Sequence, residues 1–295
     1  MNYIHVLKQC TIIIAIFFSS CSLAVDYREF ITLPNGLNDA LVFDNQGNLY
    51  ISHSGKFGAT GLMGTNVQKV TPDGKISNIA TDFQGPLGHD FDSKGNMYVA
   101  NFNNGTVDKI TPDGTKTSFA DLGETGFASG ILVNSQDDIF VASYSGNAIY
   151  KLDILGNAKI WVKNSDFNGP VGIDMDEDGN IYIGNYEDGR IFKIQANKTV
   201  TELSTAPDGA GYITYANEMI YATGRNTNKI YQIPISGGLT TELDGSATAG
   251  FNFPNGITTS NDGSKLYVSN YQNNKIIVIE NFKEKTYSTT QSKSK

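Results

Sequence analysis

A chain of 295 residues can hold one large all-β domain or two ordinary ones. With 11% aromatic residues, 31 glycines, 15 tyrosines and a formal net charge of -8, it suits many short strands joined by tight turns, and its acidity argues against nucleic acid or an anionic membrane surface as a partner. No long apolar stripe of helical period occurs, which argues against a helical bundle or helical solenoid.

The first element is an export signal. Lys8 precedes the apolar run Thr11 to Phe18, too short to span a bilayer as a helix but matched to the core of a secretory signal. Two ends are open: after Ala24, where Ser22-Leu23-Ala24 has the small-x-small form, or before Cys21, where FSSC resembles a lipoprotein box with Phe18 in place of the usual Leu. The expectation over residues 1–24 is therefore an exported protein, periplasmic, extracellular or held at the outer membrane through a lipid on Cys21, with no other membrane contact. Cys10 leaves with the signal and Cys21 is lipidated or removed, so no disulfide is available and stability must come from the core. Loss of Lys8 takes the net charge from -8 to -9.

From there the chain repeats. Tyr50, Tyr98, Phe140, Tyr182, Tyr221 and Tyr267 mark equivalent strands at intervals of 39 to 48 residues. Several strands per repeat of this length predict an all-β, six-bladed β-propeller over residues 27–282, followed by a polar tail at 283–295. The marker strands LYI, MYV, IFV, IYI, MIYA and LYV are apolar at successive positions, as expected for sheets buried on both faces. Tyr27 to Pro34 matches the fourth strands of later units, whereas the last unit stops after its third, Lys275 to Glu280. The N-terminal strand should complete the sixth blade and close the ring as a monomer.

Asp44 to Asn48, Asp92 to Asn96 and Asp176 to Asn180 read as hairpin turns between first and second strands. Asp174 to Gly179 starts like a calcium-binding loop, but Asn185 stands where the twelfth-position Glu is required. The turn reading is preferred.

One rim of the disc gathers the starts of first strands and the ends of second strands. The first ring of positions reads Asp39, Leu87, Ser129, Val171, Ala210 and Asn255; the second reads His53, Asn101, Ser143, Asn185, Gly224 and Asn270, followed by Ser54, Phe102, Tyr144, Tyr186, Arg225 and Tyr271. From these, Asp39, His53, Asn101, Ser129, Asn185, Arg225, Asn255 and Asn270 are the candidate ligand-binding residues. Amides offer paired donors and acceptors and rings offer stacking area, which suits a small molecule, glycan or peptide, although recurrence at equivalent positions also fits loop capping and packing between blades.

The segments GPVGIDMDEDGNIYIGNY, FPNGITTSNDGSKLYVSNY and APDGAGY resemble the NHL-repeat and regucalcin/gluconolactonase propellers, over Asn35 to Asn281. The lactonase resemblance implies a divalent cation, calcium or zinc, held beside first-strand glycines. The matching positions are Asp39, Asn255 and, with a shift of two residues, Asp208; Leu87 and Val171 occupy the others and cannot ligate a hard cation. A looser resemblance to virginiamycin B lyase propellers lacks a matching His/Glu cluster.

His89 stands where the other units have Leu41, Ile131, Ile173, Tyr212 and Ile257, and would be the proton carrier of a metal-assisted lactone or ester hydrolase. With His53 it forms a rim pair lacking a visible third metal ligand. The loop after His53 is eight residues longer than its counterparts and presents Phe57, Leu62 and Met63 between glycines, the pattern of an apolar lid or of a protein-docking surface. Three functions remain open: a binding propeller without evident catalysis, that hydrolase, and an interaction platform.

Overall fold

A computed structural model of the chain describes residues 24–123, 127–207 and 209–282. The expected signal with Cys21, the expected tail from 283 and Asp208 lie outside the described residues.

Six four-stranded antiparallel sheets form six blades. Their inner strands are Asn38–Phe43, Pro86–Phe91, Ala128–Val133, Pro170–Met175, Ala210–Ala216 and Pro254–Thr259, each against the next and the sixth against the first. The second strands, Leu49–His53, Met97–Asn101, Ile139–Ser143, Ile181–Asn185, Met219–Gly224 and Leu266–Asn270, are almost wholly buried, while most fourth strands are half exposed. Apolar residues at successive positions of the second strand are thus explained: each face of the sheet meets a different neighbour.

Six apolar clusters fill the six seams between blades. Phe140, Ala142 and Ile149 of the third blade meet Ile181 and Ile183 of the fourth, and Leu41, Leu49 and Ile51 of the first meet Tyr267, Ile276 and Val278 of the sixth. A buried aliphatic or aromatic side chain contributes roughly 1.5–3 kcal/mol, so these seams hold the disc without a disulfide.

The ring closes as expected. Asp26–Thr32 is the outer strand of the sixth blade, antiparallel to Lys275–Glu280 from Asp26 opposite Glu280 to Thr32 opposite Lys275. Phe30 packs edge-on against Tyr267 at 5.1 Å between ring centres, and Leu33 is 1% exposed.

The acidic turns are clasps. Asp176 accepts the Asn180 backbone N–H at 2.8 Å, the Asn180 side-chain amide at 2.8 Å and the Tyr182 hydroxyl at 2.8 Å. Asp44 with Asn48 and Tyr50, and Asp92 with Asn96 and Tyr98, repeat the pattern. Asp174 turns to the next blade and accepts the Tyr215 N–H and the Thr214 hydroxyl. Asp174 and Asp176 of the calcium-like stretch are therefore engaged by different partners.

Every inner strand carries a register shift near its first residues, between Pro254 and Ile257 for example, and this bulge re-aims the rim residue. Beside it the blades approach closely: a Cβ on Gly130 would lie 2.1 Å from the Val171 carbonyl, and one on Gly256 2.1 Å from the Asp39 carbonyl. The fifth blade departs from the expected frame. Ala210 pairs with Gly224 as Pro170 pairs with Asn185, so Gly211 holds the rim position and Tyr212 takes the place of the glycine.

Candidate functional site

The bulged rim residues floor a cavity of about 230 Å³ at the mouth of the central channel. Asp39, Leu87, Val171, Tyr212 and Asn255 form its base, and Phe102, Tyr144, Tyr186, Phe253 and Tyr271 its walls. The insertion folds into a two-residue-per-strand hairpin, Phe57–Gly58 against Gly61–Leu62, and Phe57 and Leu62 complete the lining.

Edge-to-face contacts link the wall, Phe102 to Tyr144 at 5.6 Å and Tyr144 to Tyr186 at 6.2 Å between ring centres. Arg225 stacks on Tyr186 with its guanidinium carbon 3.7 Å from the ring centre, and the Tyr144 hydroxyl donates to Glu187. On the other side, the Tyr271 hydroxyl donates to the Gly55 carbonyl at 2.6 Å, tying the wall to the neck of the insertion.

The polar floor is small. Asn255 Nδ2 donates to Asp39 Oδ2 at 3.0 Å across the seam between the last and first blades. Asp39 Oδ1, Asn255 Oδ1 and Tyr212 Oη are buried without a hydrogen-bond partner. Burial pushes the Asp39 carboxyl up to about 6; Ser54, Tyr212, the Ala40 N–H and Asn255 favour the ionised form. Neither the Ser54 nor the Tyr212 hydroxyl reaches Oδ1 with hydrogen-bond geometry. Burial first, then the Asp39 charge, raises Tyr212 well above its ordinary value and Tyr271 to about 12.

Of the residues singled out from sequence, the structure brings Asp39 and Asn255 together at this cavity. Arg225 backs the wall. Ser129 bridges two blades by donating to the carbonyls of Ala142 and Pro170. Asn101 accepts the Gln84 N–H and donates to Thr106, Asn185 donates to the Asp166 carbonyl, and Asn270 accepts the Asn252 N–H and donates to the Gly250 carbonyl. These amides cap loops while the aromatic residue after each faces the mouth. His53 is half-buried, does not line the cavity, and burial lowers its pKa.

His89 lies elsewhere, in a separate cavity of about 170 Å³ lined by all six inner strands. Its Nδ1 is 3.2 Å from the Leu87 carbonyl and burial lowers its pKa. Asp90 lines the same cavity and is pushed up to about 7 by burial, with hydrogen bonds from the Val133 and Phe91 N–H groups pulling the other way. Since Asp90 joins the second blade to the third and Asp174 the fourth to the fifth, both are explained as stitches. His89 and Asp39 do not share a site.

The described residues of the mouth do not fit a lactonase-type cation cage. Asp39 and Asn255 supply its carboxylate and amide, Asp39 Oδ2 already accepts the Asn255 amide, and Leu87, Val171 and Gly211 hold other rim positions. Among the described residues no group of three or more His, Cys, Asp or Glu is placed to hold a metal ion.

Sequence reasoning found the rim and the N-[FY] pattern but missed Phe253 and the placement of Tyr212. The signal for Tyr212 was its aromatic bulk beside the fifth inner strand's glycine.

No protein-family model and no curated protein matches the chain. Solved structures do. A streptogramin B lyase is 18% identical with a TM-score of 0.66, covering 89% of this chain and 99% of its own. A gluconolactonase from Xanthomonas campestris is 10% identical with a TM-score of 0.63, covering 83% and 86%. A structure of a nidogen/laminin complex is 15% identical with a TM-score of 0.62, covering 81% and 88%. A lyase, a gluconolactonase and a chain of a nidogen/laminin complex share the architecture, so likeness at this level shows the fold and leaves chemistry to the site. The chain is a six-bladed β-propeller, similar to the gluconolactonase and streptogramin B lyase propellers.

Proposed function

We propose that this protein is a binding propeller that takes a small ligand into the lidded mouth between Asp39, Asn255 and the aromatic wall. The carrying observation is the coincidence of an aromatic-walled cavity, open on one side, with buried oxygens that lack partners. Each unpaired buried polar group costs about 1–3 kcal/mol, and a ligand donor that meets it recovers that cost on binding. Aromatic faces add stacking area. The 230 Å³ volume beneath Phe57 and Leu62 favours a small molecule over a glycan or peptide. The hydrolase reading has less support, because among the described residues the rim offers two ligand side chains and His89 lies in another cavity. The export signal and the Cys21 lipid belong to the same proposal: the site would work outside the cytoplasm, free or tethered.

The test is calorimetric titration with 2-phenylethanol, a neutral aromatic alcohol whose ring fits the wall and whose hydroxyl reaches the floor. Saturable binding with Kd on the order of 0.1–1 mM is expected for so few atoms. Tyr186→Ala should weaken it at least tenfold. Absence of binding, or equal binding to the variant, contradicts the proposal.

A further inference from the structure

We infer that the ligand of this mouth carries a cationic nitrogen, an ammonium group seated on Asp39 and Asn255 with its organic body against the aromatic wall. The inference rests on the binding-site reading above and adds the charge and chemical class of the ligand.

Three observations point the same way. Of the three unpartnered oxygens on the floor, Asp39 Oδ1 and Asn255 Oδ1 can only accept and the Tyr212 hydroxyl can accept as well as donate, so a group with several donors meets all three. An ammonium has three donors and no acceptor; a carboxylate has the reverse. The second observation is charge. Asp39 is the one ionisable acid in the lining, and the described lining contains no Lys, Arg or His. A buried carboxylate with one free oxygen and no cationic partner is a charge waiting to be paired, and a ligand cation supplies the pairing that the chain does not. The third is the wall itself. Aromatic faces attract cations by about 0.5–2 kcal/mol each, more when water is excluded, and the wall is built of five rings, one of which, Tyr186, already carries a guanidinium on one face. Arg225 stacks on Tyr186 without lining the cavity, so its charge backs the wall and does not fill the site.

The pairing also accounts for Asp39 being buried at all. Its neighbours at the equivalent rim positions are Leu87, Ser129, Val171 and Gly211, none ionisable. The ring of blades does not need a carboxylate there.

The test uses the whole exported domain at pH 7.5 and three probes with one phenyl body: phenethylamine as its ammonium, 2-phenylethanol and phenylacetate. The inference expects the ammonium to bind at least tenfold more tightly than the alcohol, and phenylacetate not to bind. The order should be the same with EDTA present, which separates it from a metal-bridged site. In Asp39→Asn, with its melting temperature checked, the ratio of ammonium to alcohol affinity should fall from at least tenfold to about one. Equal binding of ammonium and alcohol overturns the amine inference and leaves the binding-site reading standing, as does a preference that survives Asp39→Asn. A preference for phenylacetate also overturns it. Failure of both ammonium and alcohol to bind overturns both.

Discussion

Asn103 holds Leu62 as a neighbouring strand would: its Oδ1 accepts the Leu62 N–H at 2.8 Å and its Nδ2 donates to the Leu62 carbonyl at 2.7 Å. The tip of the insertion is thereby fixed to the second blade, while Tyr271 fixes its neck to the sixth. Asn103→Ala should free the tip and leave the ring intact. Two lost hydrogen bonds of about 1 kcal/mol each predict exchange of the Leu62 amide roughly 10- to 30-fold faster, with seam amides such as Ile183 unchanged. Unchanged Leu62 exchange would show that the insertion is held by something else.

The neck has its own requirement. A Cβ on Gly64 would lie 1.8 Å from the His53 carbonyl, which is backbone and cannot swing aside. Gly64→Ala is predicted to displace the insertion and to weaken 2-phenylethanol binding at least tenfold. Gly74→Ala serves as the contrast, because nothing lies near a Cβ there, although its positive φ of 84° carries a small strain cost. Equal effects of the two substitutions on binding would sink the idea that the insertion covers the site.

Ring closure predicts a large stability effect. A chain beginning at Asn35 loses the outer strand of the sixth blade, the Phe30 to Tyr267 contact and the burial of Leu33, and leaves Lys275–Glu280 as an open edge. The combined loss is about 5 kcal/mol or more, which corresponds to a fall of roughly 10 °C or more in Tm. A Tm within a degree or two of the full domain would mean that the strand is not needed.

Buried carboxylates set the response to pH. Asp39 at about 6 and Asp90 at about 7 are raised by burial above the ordinary value of 3.8, and Asp174 is raised too. A raised folded pKa gives stability that is present at low pH and lost as pH rises through that value. His53 and His89, lowered by burial, oppose this as the unfolded imidazoles take up protons around pH 6.5. Between pH 8.5 and 6.5 the carboxylates add on the order of 1 kcal/mol as pH falls, while the two half-protonated unfolded imidazoles remove up to about 0.4 kcal/mol each, so the two effects nearly cancel. Thermal melts should show Tm changing by no more than about two degrees between pH 8.5 and 6.5. A shift of about five degrees or more in either direction would contradict the assignment.

The repeat made the blade count and closure readable, because strands buried on both faces leave the same apolar run wherever they occur. The site was readable only in part. Asp39 and Asn255 stood out as polar residues in a ring that elsewhere holds Leu87 and Val171. Asn101, Asn185 and Asn270 looked equally inviting, yet their amides face loop backbone, and which way an amide turns is decided by the loop's spare N–H and carbonyl groups. Tyr212 was misplaced because Gly211 drew the alignment, whereas the bulge set the register. His89 was drawn to the rim by its strand, though its side chain lies in the deeper cavity.

The most direct measurement is a crystal structure of the propeller domain soaked with phenethylamine. The account predicts density in the mouth, its nitrogen within hydrogen-bond distance of Asp39 Oδ1 and its ring between Tyr186 and Tyr271. Density confined to another surface, or none at saturating probe, would contradict it.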